Sequence, residues 1–119
     1  MKNWEKICIS PDASIRDAIA AIENGGEQIA IMVESNGGLI GTVTDGDIRR
    51  GILAGENINN PVRALINKNP LTMGVDNDLS EIIKKMKRGK IRKIPVIDNE
   101  GRMVRVESLE DLNISNRKE

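Results

Sequence analysis

Displacing the chain by sixty-four residues, the separation of Asp47 and Asp111, brings its two halves into register without a gap. Asp12 falls on Asp76, Ile19 on Ile83, Gly25 on Gly89 and Gly37 on Gly101. Where identity fails, chemical type holds: Ile7 meets Leu71, Ile15 meets Leu79, Ile22 meets Met86, Val33 meets Ile97, Glu34 meets Asp98 and Thr44 meets Ser108. An internal repeat constrains a fold more than any single motif does, because both halves must build the same unit.

Each half reads β-α-β-β-α. A short strand over Ile7–Ile9 is matched by Leu71–Met73. A helix capped by Ser14 presents Ile15, Ala18, Ile19 and Ile22 at helical spacing and stops at Gly25-Gly26. Its counterpart starts at Asp78, presents Leu79, Ile82, Ile83 and Met86, and stops at Gly89. Strands over Ile29–Glu34 and Leu39–Val43 flank the turn Ser35-Asn36-Gly37-Gly38. The matching strands, Ile94–Asp98 and Met103–Val106, flank Asn99-Glu100-Gly101-Arg102. A second helix runs from Asp45 to about Leu53, and its counterpart from Leu109 is expected to be cut short by the chain end. The fold class is α/β (α+β). The turn-rich segment Asn57–Asn60 sets repeat 1 at 1–60 and repeat 2 at 61–112, with 113–119 a polar tail or linker. A three-stranded sheet has a face that one half cannot cover alone, so two halves are expected to bury their apolar faces together.

Composition narrows the chemistry. Among 119 residues there is no Phe, Tyr or His, one Trp and one Cys. An aliphatic core follows, and the stacking platforms of single-strand nucleic-acid binding are missing. Basic and acidic residues balance at 18 each, so no electrostatic pull toward nucleic acid or membrane is expected. Without His the commonest general base and metal ligand are lost, and a lone Cys8 makes neither a disulfide nor a thiolate cluster. Cys8, between Ile7 and Ile9, reads as a buried structural thiol. No apolar run approaches the ~20 residues of a membrane span, and the N-terminus carries no signal-peptide core. Cytoplasmic localisation is the expectation, with no catalytic residues and no metal site.

The run Leu39-Ile40-Gly41-Thr42-Val43-Thr44-Asp45-Gly46-Asp47-Ile48 resembles the end of a CBS domain, and so does Ile94-Pro95-Val96-Ile97-Asp98 with a Gly soon after. The resemblance extends from about Ile7 to Leu112. It implies two repeats paired with pseudo-two-fold symmetry, a Bateman module, with two clefts that in many members bind an adenine nucleotide. The fragment from Thr44 to Arg50 looks most like CBS pairs attached to sugar-phosphate enzymes. Two groups fit: nucleotidyltransferases, where the pair can precede the catalytic domain, and arabinose-5-phosphate isomerases, where it follows. A module that begins almost at Met1 favours the first, with the polar tail leading into a fused catalytic domain.

In the family, a Ser or Thr hydroxyl and an Asp carboxylate at the position of Thr44-x-x-Asp47 bind the ribose hydroxyls. The chemistry is sound, since a carboxylate only accepts and a diol offers two donors. The same spacing is also a capping box that merely satisfies helix amides, as Ser14-x-x-Asp17 does with no ligand role in the family. Placement after the Gly41-containing strand and repetition at Ser108-x-x-Asp111 favour the ribose reading, and both roles can coexist at Thr44. For the phosphate, the helix start at Gly46 offers partial positive charge, with Arg49 and Arg50 on that helix. The resemblance assigns Lys93, and less strongly Arg92, to the cleft that holds Asp47. It assigns Leu71 and Thr72 to the adenine. Arg49 and Arg50 fit a helix-face ion pair equally well, and the basic run from Lys84 to Lys93 fits a solvated face. The second cleft, with Ser108 and Asp111, is poorer: Gln28 and Ile29 stand where Arg92 and Lys93 stand in the first. Arg105 replaces Gly41 there, and Glu107 and Glu110 repel phosphate. One competent site is therefore expected.

The function expected is a regulatory module that senses AMP, ADP or ATP, requires no cofactor, forms a homodimer and controls a fused nucleotidyltransferase domain. The alternatives are a structural dimerisation module with vestigial clefts, or the regulatory part of a sugar-phosphate isomerase.

Overall fold

The structure is a computed structural model that describes residues 3–117; Met1, Lys2, Lys118 and Glu119 lie outside it. The chain divides into two compact units, Asn3–Pro70 and a second from Leu71. Both are mixed α+β with small sheets.

The first unit opens with a 3-10 turn, Trp4–Ile7, followed by β1 (Cys8–Ile9), α1 (Ile15–Gly25), β2 (Ile29–Val33), β3 (Leu39–Thr44) and α2 (Asp45–Leu53). The sheet order is β1-β2-β3. β1 runs parallel to β2, the crossover between them being α1, and β2 and β3 form an antiparallel hairpin. Ser14 starts α1 with a full capping box: its Oγ accepts from Asp17 N–H (3.0 Å), and Asp17 accepts from Ser14 N–H (2.9 Å). Gly26 ends it in the left-handed region (φ 68°). Ile15, Ala18 and Ala21 are buried, but Ile19, expected in the core, is 40% exposed. The buried stripe turns toward Ala21 because the chain packs the helix on Ile9, Met32 and Val43.

The first unit extends beyond the expected boundary at 60. Val62 and Ile66 are buried in its core, and Thr42 and Asn67 exchange backbone hydrogen bonds of 3.1 and 2.8 Å. That approach depends on Gly41. A Cβ there would lie 2.3 Å from the Asn67 carbonyl oxygen and 2.5 Å from Ile66 Cγ2.

The second unit holds α3 (Leu79–Gly89), β4 (Lys93–Ile97), β5 (Met103–Ser108) and α4 (Leu109–Arg117). β4 and β5 repeat the first hairpin pair for pair: Lys93 faces Ser108 as Ile29 faces Thr44, and the register shift between Met32 and Val33 recurs between Val96 and Ile97. An irregularity kept at one offset shows that the repeat holds in the backbone as well as in residue type. Ile82, Ile83 and Met86 of α3 are buried with Ile94, Val96 and Leu112.

Several expectations need correction. Ile7 closes the opening 3-10 turn instead of starting a strand. Leu71–Met73 form no strand, only a parallel bridge from Met73 to Val96. α3 ends at Gly89 as expected, but the left-handed conformation that follows it falls on Lys90 (φ 57°), at the position equivalent to Gly26. A side chain there costs about 1 kcal/mol. α4 is not cut short, since it has nine residues like α2, and Asn113–Arg117 continue it where a linker was expected.

Cys8 is half-buried and its thiol donates weakly to the Trp4 carbonyl. Burial, helped by nearby Glu5, pushes the thiol up to about 11, so it stays protonated and poorly reactive at neutral pH. Among the described residues no helix is long and apolar enough to cross a membrane.

Candidate ligand site

The candidate site of the first unit lies where β3 passes directly into α2. Thr44 is the N-cap, in extended conformation, and Asp47 is the third helical residue. Thr44 Oγ1 accepts from Asp47 N–H (3.1 Å), and Asp47 Oδ2 accepts from Thr44 N–H (3.0 Å). The capping box is therefore closed, with nearly the geometry found at Ser14 and Asp17. What distinguishes Asp47 is its second oxygen, Oδ1, which accepts from Arg50 at 2.8 Å. The Arg50 guanidinium lies back over the helix start, close enough that a Cβ on Gly46 would stand 3.2 Å from it. Gly46 thus leaves room for the Arg50–Asp47 pair.

A carboxylate has about four lone-pair positions. Two contacts occupy Asp47 only in part, and Thr44 Oγ1 retains its own proton to donate. Both groups keep capacity for a diol. Arg49 is committed to Asp45 by an ion pair of 2.6 Å. Arg50 therefore stands closer to the chemistry than Arg49 does. Its three-residue spacing from Asp47 was the available signal.

The remaining candidates belong to the second unit. Lys93 is the first residue of β4 and pairs in register with Ser108. Arg92 bonds to Glu110 at 2.7 Å, and its carbonyl accepts from Leu109 N–H at 2.8 Å. Leu71 and Thr72 are half-buried just before the Met73 bridge. Ser108 is buried and its Oγ accepts from Asp111 N–H at 3.0 Å, while Asp111 is exposed. Glu107 pairs with Arg105 at 3.1 Å, and Glu110 pairs with Arg92. These acids serve local cations, which sequence spacing alone did not reveal for Arg92 and Glu110, eighteen residues apart.

The CBS domain model matches twice, over residues 3–54 and 62–112. The chain belongs to the CBS domain family. The CBS pair is similar to the arabinose 5-phosphate isomerase KdsD of Francisella tularensis, 28% identical over 87% of this chain and 32% of the isomerase. It is also similar to the arabinose 5-phosphate isomerase KpsF of Escherichia coli, 31% identical over 66% of this chain and 25% of that one. The CBS pair therefore spans about a third or less of the curated relatives it matches. In fold it resembles a CBS domain protein of Pyrobaculum aerophilum solved in complex with AMP, with a TM-score of 0.79, 18% identity and full coverage of both chains.

Proposed function

We propose that this CBS pair is a regulatory ligand-binding module in which Thr44 and Asp47 read the ribose hydroxyls of an adenine nucleotide (AMP, ADP or ATP). The observation that carries this reading is the strand-to-helix junction itself: a held hydroxyl and a carboxylate with unused acceptor positions, next to Arg50. The AMP complex of a protein of the same fold supports the ligand class. Lys93 takes the phosphate by the family resemblance, with Arg92 and Arg49 as lesser cations, and Leu71 and Thr72 meet the base. Ser108 and Asp111 form a weak second site.

The partner is a fused sugar-phosphate enzyme. The isomerase names of the curated relatives favour the regulatory part of a sugar-phosphate isomerase over the nucleotidyltransferase expected first. A homodimer in the cytoplasm completes the reading. Ligand control requires unequal affinity for two arrangements of the protein.

A specific observation also favours the structural alternative, in which the module only holds subunits together: the closed capping box gives Thr44 and Asp47 a purpose without any ligand. Thermal melting with AMP, ADP, ATP, GTP, a CMP-sugar and S-adenosylmethionine separates the two. A ligand at about a hundred times its Kd adds ~2.7 kcal/mol, a rise of roughly several degrees for a domain of this size. No shift at millimolar nucleotide selects the structural reading.

A further inference from the structure

Three of the helices, α1, α2 and α4, begin on a Ser/Thr-x-x-Asp spacing, and the residue three places after the aspartate differs in each. It is Ala20 after Asp17, Arg50 after Asp47 and Ile114 after Asp111. The Ser14–Asp17 box closes with no cation on its carboxylate among the described residues. A closed box therefore does not need an arginine, and the Arg50–Asp47 pair calls for another reason. The contact is a single bond, from Nη2 to Oδ1, and the arginine side chain is 72% exposed. Exposed pairs of this kind contribute little and exchange partners readily. A guanidinium has five donors; Arg50 spends one on Asp47, and its Nη1 lies over Gly46. The atom it holds is the one that matters. Asp47 Oδ2 already accepts from Thr44 N–H, so Oδ1 is the oxygen that the cap leaves for a ligand.

We propose that Arg50 is a selectivity residue of this site: it competes with neutral nucleosides for Asp47 and passes to the phosphate of a nucleotide when one binds. The inference rests on the ribose reading proposed above and adds to it a preference by ligand charge. A nucleoside must share Oδ1 with the guanidinium, or displace it with nothing to offer in return. A phosphorylated ligand offers the guanidinium a stronger partner, one that can be held by two parallel bonds, and so lifts the competition. The weak second site lacks this device, because Ile114 holds the equivalent place and carries no charge.

Equilibrium titration of the full chain with adenosine and with AMP tests it, in the parent, Arg50→Gln and Arg50→Lys. The two ligands are expected to respond in opposite directions. Arg50→Gln weakens AMP by roughly tenfold, the loss of a charge-assisted hydrogen bond. It tightens adenosine by up to about fivefold, because the exposed pair no longer competes. Arg50→Lys keeps the charge without the fork geometry and falls between the parent and Arg50→Gln. Added salt narrows the preference for AMP more in the parent than in Arg50→Gln. Circular dichroism checks folding, and Arg50→Lys supplies a smaller shift of the same sign if Arg50→Gln does not fold. A folded variant in which adenosine fails to gain, or in which AMP is not weakened, overturns Arg50 as the selector while leaving the nucleotide reading in place. A parent that binds neither ligand at millimolar concentration overturns both.

Discussion

Asp47→Ala is expected to erase the nucleotide-induced rise in melting temperature, whereas Asp111→Ala leaves that rise in place. Loss of the carboxylate removes the acceptor for the ribose diol, and a hydrogen bond to a charged group contributes about 1.5–3 kcal/mol, enough to weaken binding by roughly ten- to a hundredfold. The same change also opens the α2 capping box, which costs about 0.5–2 kcal/mol of stability in the free protein. The chain contains its own control for that cost. Asp17 closes a matching box with Ser14, at 2.9 and 3.0 Å, on a helix with no ligand role in the family. Asp17→Ala should lower the melting temperature of the free protein by a similar amount and leave the response to nucleotide intact. Differential scanning fluorimetry with and without ligand reads both quantities. Equal loss of response from Asp47→Ala and Asp111→Ala refutes a single competent site.

Gly41→Ala is expected to destabilise the first unit by about 1–3 kcal/mol, the range for forcing extra volume into a packed site. The added Cβ meets a backbone carbonyl at 2.3 Å, which no rotamer change relieves. The Thr42–Asn67 backbone pairing must open to admit it. By contrast, Gly46→Ala meets only the end of a flexible arginine at 3.2 Å and should cost far less. Urea denaturation of the two variants distinguishes a backbone collision from a movable side chain. A Gly41→Ala protein as stable as the parent would mean that Asn67 does not lie along β3.

The reading of the sequence went furthest where the repeat supplied a cross-check. The hairpins, the α2 span from Asp45 to Leu53 and the Ser14 and Asp78 caps all followed from patterns seen twice. Ile19 shows the limit of helical spacing: Ile19 and Ala21 both satisfy an amphipathic pattern, and only packing against the sheet decides which turns inward. Lys90 shows another, because a left-handed residue after a helix is anticipated from glycine and here the glycine sits one place too early. At the candidate site, the Thr44–Asp47 spacing announced the capping box, but not that Arg50 would take the other carboxylate oxygen. Gly41 read as part of a family motif; its service to Asn67 depends on a contact between distant parts of the chain, which no local pattern encodes.

The two sheets are edged differently. In the first unit β1 flanks β2 with two paired residues, whereas in the second Met73 makes a single bridge beside β4 among the described residues. Amide protons of β4 on the side of that bridge should therefore exchange with deuterium sooner than their counterparts in β2.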